Sequence, residues 1–152
     1  MATIRQQILI EAPTRTLWNL LTTAEGIVQW WATTARVEGR EGGRVVLGHR
    51  LPASEAAEGG GEPTGEDVVV EERGMIHTWR PTATFEVKWD SGGQAPTRGT
   101  TVQFQIGRGD GESKLHVIHS GGGVLDDELA RAALEDVWKE RLTRLRTLVE
   151  GG

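Results

Sequence analysis

The sequence predicts an α+β fold: a curved antiparallel β-sheet of about six to seven strands wrapped around one long C-terminal α-helix, with two short helices after the first strand. Three observations carry this. First, Asp126 to Glu150 repeats apolar residues in steps of three and four, at Leu129, Ala133, Leu134, Val137, Trp138, Leu142, Leu145, Leu148 and Val149, which is the stripe of an amphipathic helix. Second, between Thr34 and His119 the apolar period falls to two, that of strands burying one face and wetting the other. Third, the order is one strand, two short helices, a run of strands and one long helix, which is the order of α+β chains and not of doubly wound α/β chains. A sheet with one apolar face and a single long amphipathic helix satisfy each other when the sheet curls around the helix.

The elements follow in order. Thr3 to Glu11 reads as a strand with Ile4, Ile8 and Ile10 on one face. Ala12-Pro13-Thr14 breaks it, and Pro13 or Thr14 opens a short helix whose apolar set is Leu17, Trp18, Leu20 and Leu21. A second short helix, Ala24 to Ala32, carries Ile27, Val28, Trp30 and Trp31. Thr34 to Glu38 is a strand, Gly39 to Gly43 a turn, and Arg44 to Arg50 a strand with Val45, Leu47 and His49 together. Leu51 to Gly65 holds Gly59-Gly60-Gly61 and two prolines and reads as a flexible loop. Asp67 to Arg80 is a long strand bent by a bulge at Gly74, beyond which Met75, His77 and Trp79 share a face. Thr84 to Asp90 alternates Phe85, Val87 and Trp89 against Thr84, Glu86 and Lys88. Thr100 to Gly107 repeats this with Val102, Phe104 and Ile106, and Glu112 to His119 with Leu115, Val117 and His119. Arg108 to Gly111 joins the last two strands as a tight hairpin with an Asp-Gly step. Asp126 or Asp127 caps the long helix.

Bulk composition narrows the function. A chain of 152 residues suggests one domain, or at most a domain with a mobile insert, and is long enough to bury its own core. There are no cysteines, so disulfides, thiolate metal sites and cysteine nucleophiles are excluded and a cytoplasmic setting is the default expectation. The run Ile8-Leu9-Ile10 is too short for a signal-peptide core, and no stretch approaches the roughly 20 apolar residues of a membrane span. A net charge of −5 with mixed signs and no basic stripe argues against nucleic-acid binding. Six tryptophans stand beside no tyrosine and two phenylalanines.

Several short motifs, spread over nearly the whole chain, form a pattern. They are Ile10-Glu11-Ala12-Pro13 followed by Leu17-Trp18, Leu21-Thr22 followed by Gln29-Trp30-Trp31, and Glu41-Gly42-Gly43-Arg44 before a strand. Then come Gly74-Met75-Ile76 with Trp79 and Pro81, Trp89, His119-Ser120-Gly121, and Trp138 with Leu142, Leu145 and Leu148. In order and spacing the chain resembles the START-like (SRPBCC) superfamily with the helix-grip fold, and within it the bacterial branch related to the activator of the heat-shock protein 90 ATPase. Two departures are a longer, more polar Leu51–Gly65 and Gly122-Gly123 where that family often places an aromatic residue.

The resemblance implies a cavity between sheet and last helix, used in many relatives for apolar small molecules. Its wall would be His77, Trp79, Phe85, Val87, Trp89, Phe104 and His119 from the sheet and Leu134, Trp138, Arg141 and Leu142 from the helix, with Trp30 and Trp31 at the mouth. Such sites are mostly apolar with a few polar groups that orient the ligand. A tryptophan on an inward face is more often core than ligand platform, and Trp138, with Trp18 outside this set, reads most readily as core. Arg141, at the edge of the helix stripe, either faces inward to pair with a carboxylate ligand or runs its stem along the surface to water. His77 and His119 are inward candidates for acid–base work or hydrogen-bonded structural histidines. The four histidines have no metal-site spacing, no nucleophile elbow or paired-carboxylate motif is visible, and no metal or cofactor is expected. Three functions are expected in order: binding of a small apolar or amphipathic molecule, partnership with a chaperone ATPase, and a cyclase- or hydratase-like activity in the same cavity. Either a monomer or a homodimer fits the sequence.

Overall fold

The computed structural model describes residues 3–51, 68–92, 95–109 and 111–151. Strands β1 (Thr3–Ile10), β2 (Thr34–Val37), β3 (Arg44–Leu51), β4 (Val68–Arg80), β5 (Thr84–Trp89), β6 (Thr101–Arg108) and β7 (Ser113–Ser120) form one open antiparallel sheet in the order β1-β7-β6-β5-β4-β3-β2. Helices α1 (Thr14–Thr22) and α2 (Ala24–Ile27) follow β1, and α3 (Glu128–Glu150) follows a 3-10 turn at Gly123–Asp126. From β2 to β7 each strand pairs with its sequence neighbour. β1 alone pairs out of order, with β7, from Thr3↔Ser120 to Ile10↔Ser113. The expected helix-grip arrangement is the one present.

The alternating residues bury one sheet face. Val45, Leu47, Ile76, Phe85, Val87, Val102, Phe104, Leu115 and Val117 are all inside, under Trp138, Leu142 and Leu145 of α3. Asp127 caps α3, its Oδ1 accepting from the Ala130 amide at 2.9 Å. Two bonds tie the helix to β1 and the residue after it: Gln6 Nε2 donates to the Glu135 carbonyl, and the Glu11 amide donates to Glu150 Oε2, each at 2.8 Å.

Three expectations need correcting. The apolar stripe of α3 is not buried from its start: Leu129 is 84% exposed and Ala133 is exposed, because Leu125 of the preceding 3-10 turn already fills the core at that end. The second helix stops at Ile27, not Ala32. The amides of Gln29, Trp30 and Trp31 instead bond back to the Gly26 and Ile27 carbonyls in successive turns, which bring two adjacent tryptophans inside together. The irregularity in β4 lies between Ile76 and Thr78, not at Gly74. His77 is the extra residue there, so Met75 and His77 face outward while Trp79 turns inward onto Trp18 and Phe85. Gly74 serves close approach: a Cβ there would sit 2.5 Å from the Lys88 carbonyl oxygen and 2.7 Å from the Trp89 ring. The expected flexible loop, Leu51 to Gly65, lies outside the described residues except for Leu51, which ends β3, and so does Asp110 of the expected hairpin turn.

Candidate functional site

The interior is built from aromatic rings on four elements. Trp31 packs its ring against Phe104 at 5.3 Å, Trp138 at 5.9 Å and Trp89 at 6.3 Å between centroids, and Trp30 lies beside it at 5.5 Å. Phe85 stacks on Phe104, and Trp138 meets Phe104 edge-on. Val87 and Leu142 are buried in the same cluster, with Leu134 partly buried against it. The structure thus brings together Trp30, Trp31, Phe85, Val87, Trp89, Phe104, Trp138 and Leu142. Trp79 sits at the far end of the cluster, and His77 is separated from it by the sheet, its imidazole 3.6 Å from Glu86. Trp30 and Trp31, expected at a mouth, are only 1% and 4% exposed, although both also border a surface cleft.

Within this apolar layer lies a polar seam. Glu72 of β4 is 6% exposed. His49 Nε2 donates to its Oε1, and the Thr97 hydroxyl donates to its Oε2, each at 2.5 Å. Burial alone would raise the Glu72 carboxyl, but the hydrogen bonds from His49 and Thr97 and the nearby charges of His49 and Arg141 outweigh it and hold the group below the ordinary carboxylate value. Glu72 is therefore an ionised carboxylate with both oxygens occupied.

His119 lies beside this seam on β7. The Thr100 hydroxyl spends its proton on the Thr97 carbonyl, so it accepts from His119 Nε2 at 2.8 Å. Trp138 Nε1 donates to His119 Nδ1 at 3.0 Å. This network fixes a neutral imidazole protonated at Nε2, in keeping with burial pushing its pKa down to about 4. Both ring nitrogens are engaged.

Two buried donors have no acceptor among the described residues, the indole N–H groups of Trp31 and Trp89. Native interiors rarely leave such groups unpaired, so each one calls for a reason.

A cleft of about 480 Å³ opens between α3 and the segment joining α2 to β2. Trp30, Trp31 and His49 border it from the interior, Val28 and Ala32 from one rim, and Val137, Arg141 and Arg144 from the helix. Arg141 lays its guanidinium over the Trp138 ring, 4.9 Å from the centroid. Burial is the largest influence on it and disfavours its charge, Glu72 favours it, and Arg144 disfavours it again. A second, wider cleft of about 1010 Å³ reaches Glu72, Trp89 and Thr97 from the other side and carries mixed charge, with Arg44 Nη2 2.8 Å from Asp90 Oδ2. His49, Glu72 and Thr97 form the wall between the two.

The His49–Glu72 pair is the feature that sequence reasoning missed. The signal was present: Glu72 shares the inward parity of Gly74 and Ile76, and His49 that of Val45 and Leu47. Their meeting depends on the β3–β4 register, Leu47↔Glu72 and His49↔Val70, which no single strand reveals.

A curved antiparallel sheet gripping a long helix over an aromatic interior defines the class as helix-grip. The sequence matches the model of the Activator of Hsp90 ATPase homolog 1-like protein family over residues 11–150, and the chain belongs to that family. Among curated proteins none matches the sequence. Solved structures similar to it include the Aha1 dimer from Colwellia psychrerythraea, at TM-score 0.72 and 19% identity over 99% of this chain and 97% of that one. Protein MLL2253 from Mesorhizobium loti has TM-score 0.72 and 19% identity over 97% and 96%. CalU16 from Micromonospora echinospora has TM-score 0.69 and 16% identity over 97% and 76%. At these identities the likeness is one of fold.

Proposed function

We propose that this protein binds a small, largely apolar molecule carrying a hydrogen-bond acceptor, held between the concave sheet face and α3 and admitted at the cleft beside Trp31. The observation that carries the reading is the pair of buried indole N–H groups, on Trp31 and Trp89, with no acceptor among the described residues. Each costs about 1–3 kcal/mol while it stays unpaired, and a ligand carbonyl or hydroxyl removes that cost. The remaining surroundings are aromatic faces, which suit a flat or chain-like apolar body. The test is a tryptophan-fluorescence and thermal-shift screen against fatty acids, sterols, flavonoids and polyketide-like aromatics. A ligand should quench saturably and raise Tm by mass action. Trp31→Phe keeps a ring and deletes the donor, and should weaken binding about tenfold, which is about 1.4 kcal/mol. No saturable response across the panel overturns the proposal.

A second reading, partnership with a chaperone ATPase, is favoured by the family to which the chain belongs. It predicts faster ATP hydrolysis by heat-shock protein 90 when this protein is added. A cyclase- or hydratase-like activity draws no support from the two histidines first considered for it, since His119 has both nitrogens engaged and His77 lies on the outer face. Such chemistry would fall to His49 with Glu72.

A further inference from the structure

We infer that the cleft between α3 and the segment joining α2 to β2 binds an anionic oxygen headgroup, carboxylate or phosphate, so that the ligand is an amphipathic acid lying with its charged end against Arg141 and Arg144. The inference rests on the binding role proposed above and names its ligand class.

The cleft has two kinds of wall. Val28, 43% exposed, and Val137 are apolar, whereas Arg50, Arg141, Arg144 and His49 are basic and Glu140 is its one acidic lining residue among those described. Arg141 and Arg144 are three residues apart on α3 and so share a face of the helix. Arg144 donates to the Trp30 carbonyl at 3.3 Å. Arg141 makes no hydrogen bond to any described residue, and its guanidinium lies over the Trp138 ring. A guanidinium carries five N–H donors in a planar fork that matches two oxygens of a carboxylate or phosphate.

The buried carboxylate that favours the charge on Arg141 does not fill that role. Glu72 accepts from His49 and Thr97, one bond to each oxygen, and acts on Arg141 through space. Arg144 meanwhile opposes the charge on Arg141. Two like charges set close together at the margin of an apolar interior, one of them without an acceptor among the described residues, are a configuration that an incoming anion stabilises twice over: it pairs the fork and screens the repulsion. The aromatic interior behind Trp31 then takes the apolar body.

The experiment uses matched probes that differ only in the headgroup: decanoate, decanamide and decyl phosphate, and 2-naphthoate with 2-naphthamide. Affinities are measured by fluorescence and calorimetry on the full chain. The acids should bind at least tenfold more tightly than their amides. Arg141→Gln, which keeps most of the side-chain volume, should erase that difference while leaving amide binding in place. Arg146→Gln, on the same helix but outside the cleft, should leave it intact. The ratio of phosphate to carboxylate affinity decides between the two headgroups. In NMR spectra the Arg141 Nε–H and Trp31 Nε1–H signals should shift on addition of decanoate. Equal binding of acids and amides overturns the anionic headgroup and leaves the binding role standing. No binding of any probe overturns both.

Discussion

His119 shows how one buried side chain carries a consequence for the whole chain. In the unfolded chain its imidazole takes a proton near the ordinary value of 6.5, whereas in the folded chain it refuses one until about 4. Between those values the unfolded state holds more protons, so stability falls as pH drops through that window and is fully present above it. The loss amounts to something on the order of 3 kcal/mol. Glu72, with its pKa lowered, adds a separate loss only below its ordinary value of 4.5. Urea midpoints at pH 7.5, 5.5 and 4.5 should decline in the native protein, and His119→Asn should flatten the decline between pH 6.5 and 4.5. An unchanged slope in that variant would mean that His119 is not the group responsible. At this scale the sequence was informative only about single residues. The inward face of His119 followed from strand parity. The outward face of His77 did not, because one extra residue in β4 reverses parity with no glycine or proline to announce it.

Among elements, α3 divides into a part that holds the fold and a part that does not. Leu145 is fully buried under the sheet and Leu129 is almost wholly exposed, although both belong to one heptad-like stripe. Leu145→Ala should therefore cost about 2–5 kcal/mol through lost transfer energy and the cavity left behind. Leu129→Ala should stay within about 0.5 kcal/mol, as surface changes do. Denaturant titration of the two variants separates these outcomes, and comparable losses would contradict the packing described. The helix itself was legible from its period of three and four, and most strand limits fell within a residue or two of their observed ends. What periodicity could not supply was the limit of the buried part, since that depends on where Leu125 plugs the core, or the early stop of α2, which exists so that Trp30 and Trp31 can both turn inward.

For the whole molecule the informative feature is the sheet order. Among the described residues the edges are β1 and β2, and β2 is four residues long with no strand on its outer side. Amide hydrogen exchange should be fastest in β2, while β1 and β7 should be protected together as one cooperative unit with β6. Independent exchange of β1 and β7 would count against the pairing that closes the fold. The sequence disclosed the class of fold because strands and helix each show their own period, but it did not disclose which strand β1 would join. That pairing also has a meaning during synthesis. Strand β1 leaves the ribosome first and its partner β7 is 103 residues later, from Ile10 to Ser113. The tether from α3 to Glu11 comes from Glu150. The nascent chain must therefore carry β1 unpaired until β7 has emerged, and the concave face of its sheet uncovered until α3 has. The period of greatest exposure to aggregation is the one before β7 and α3 have emerged.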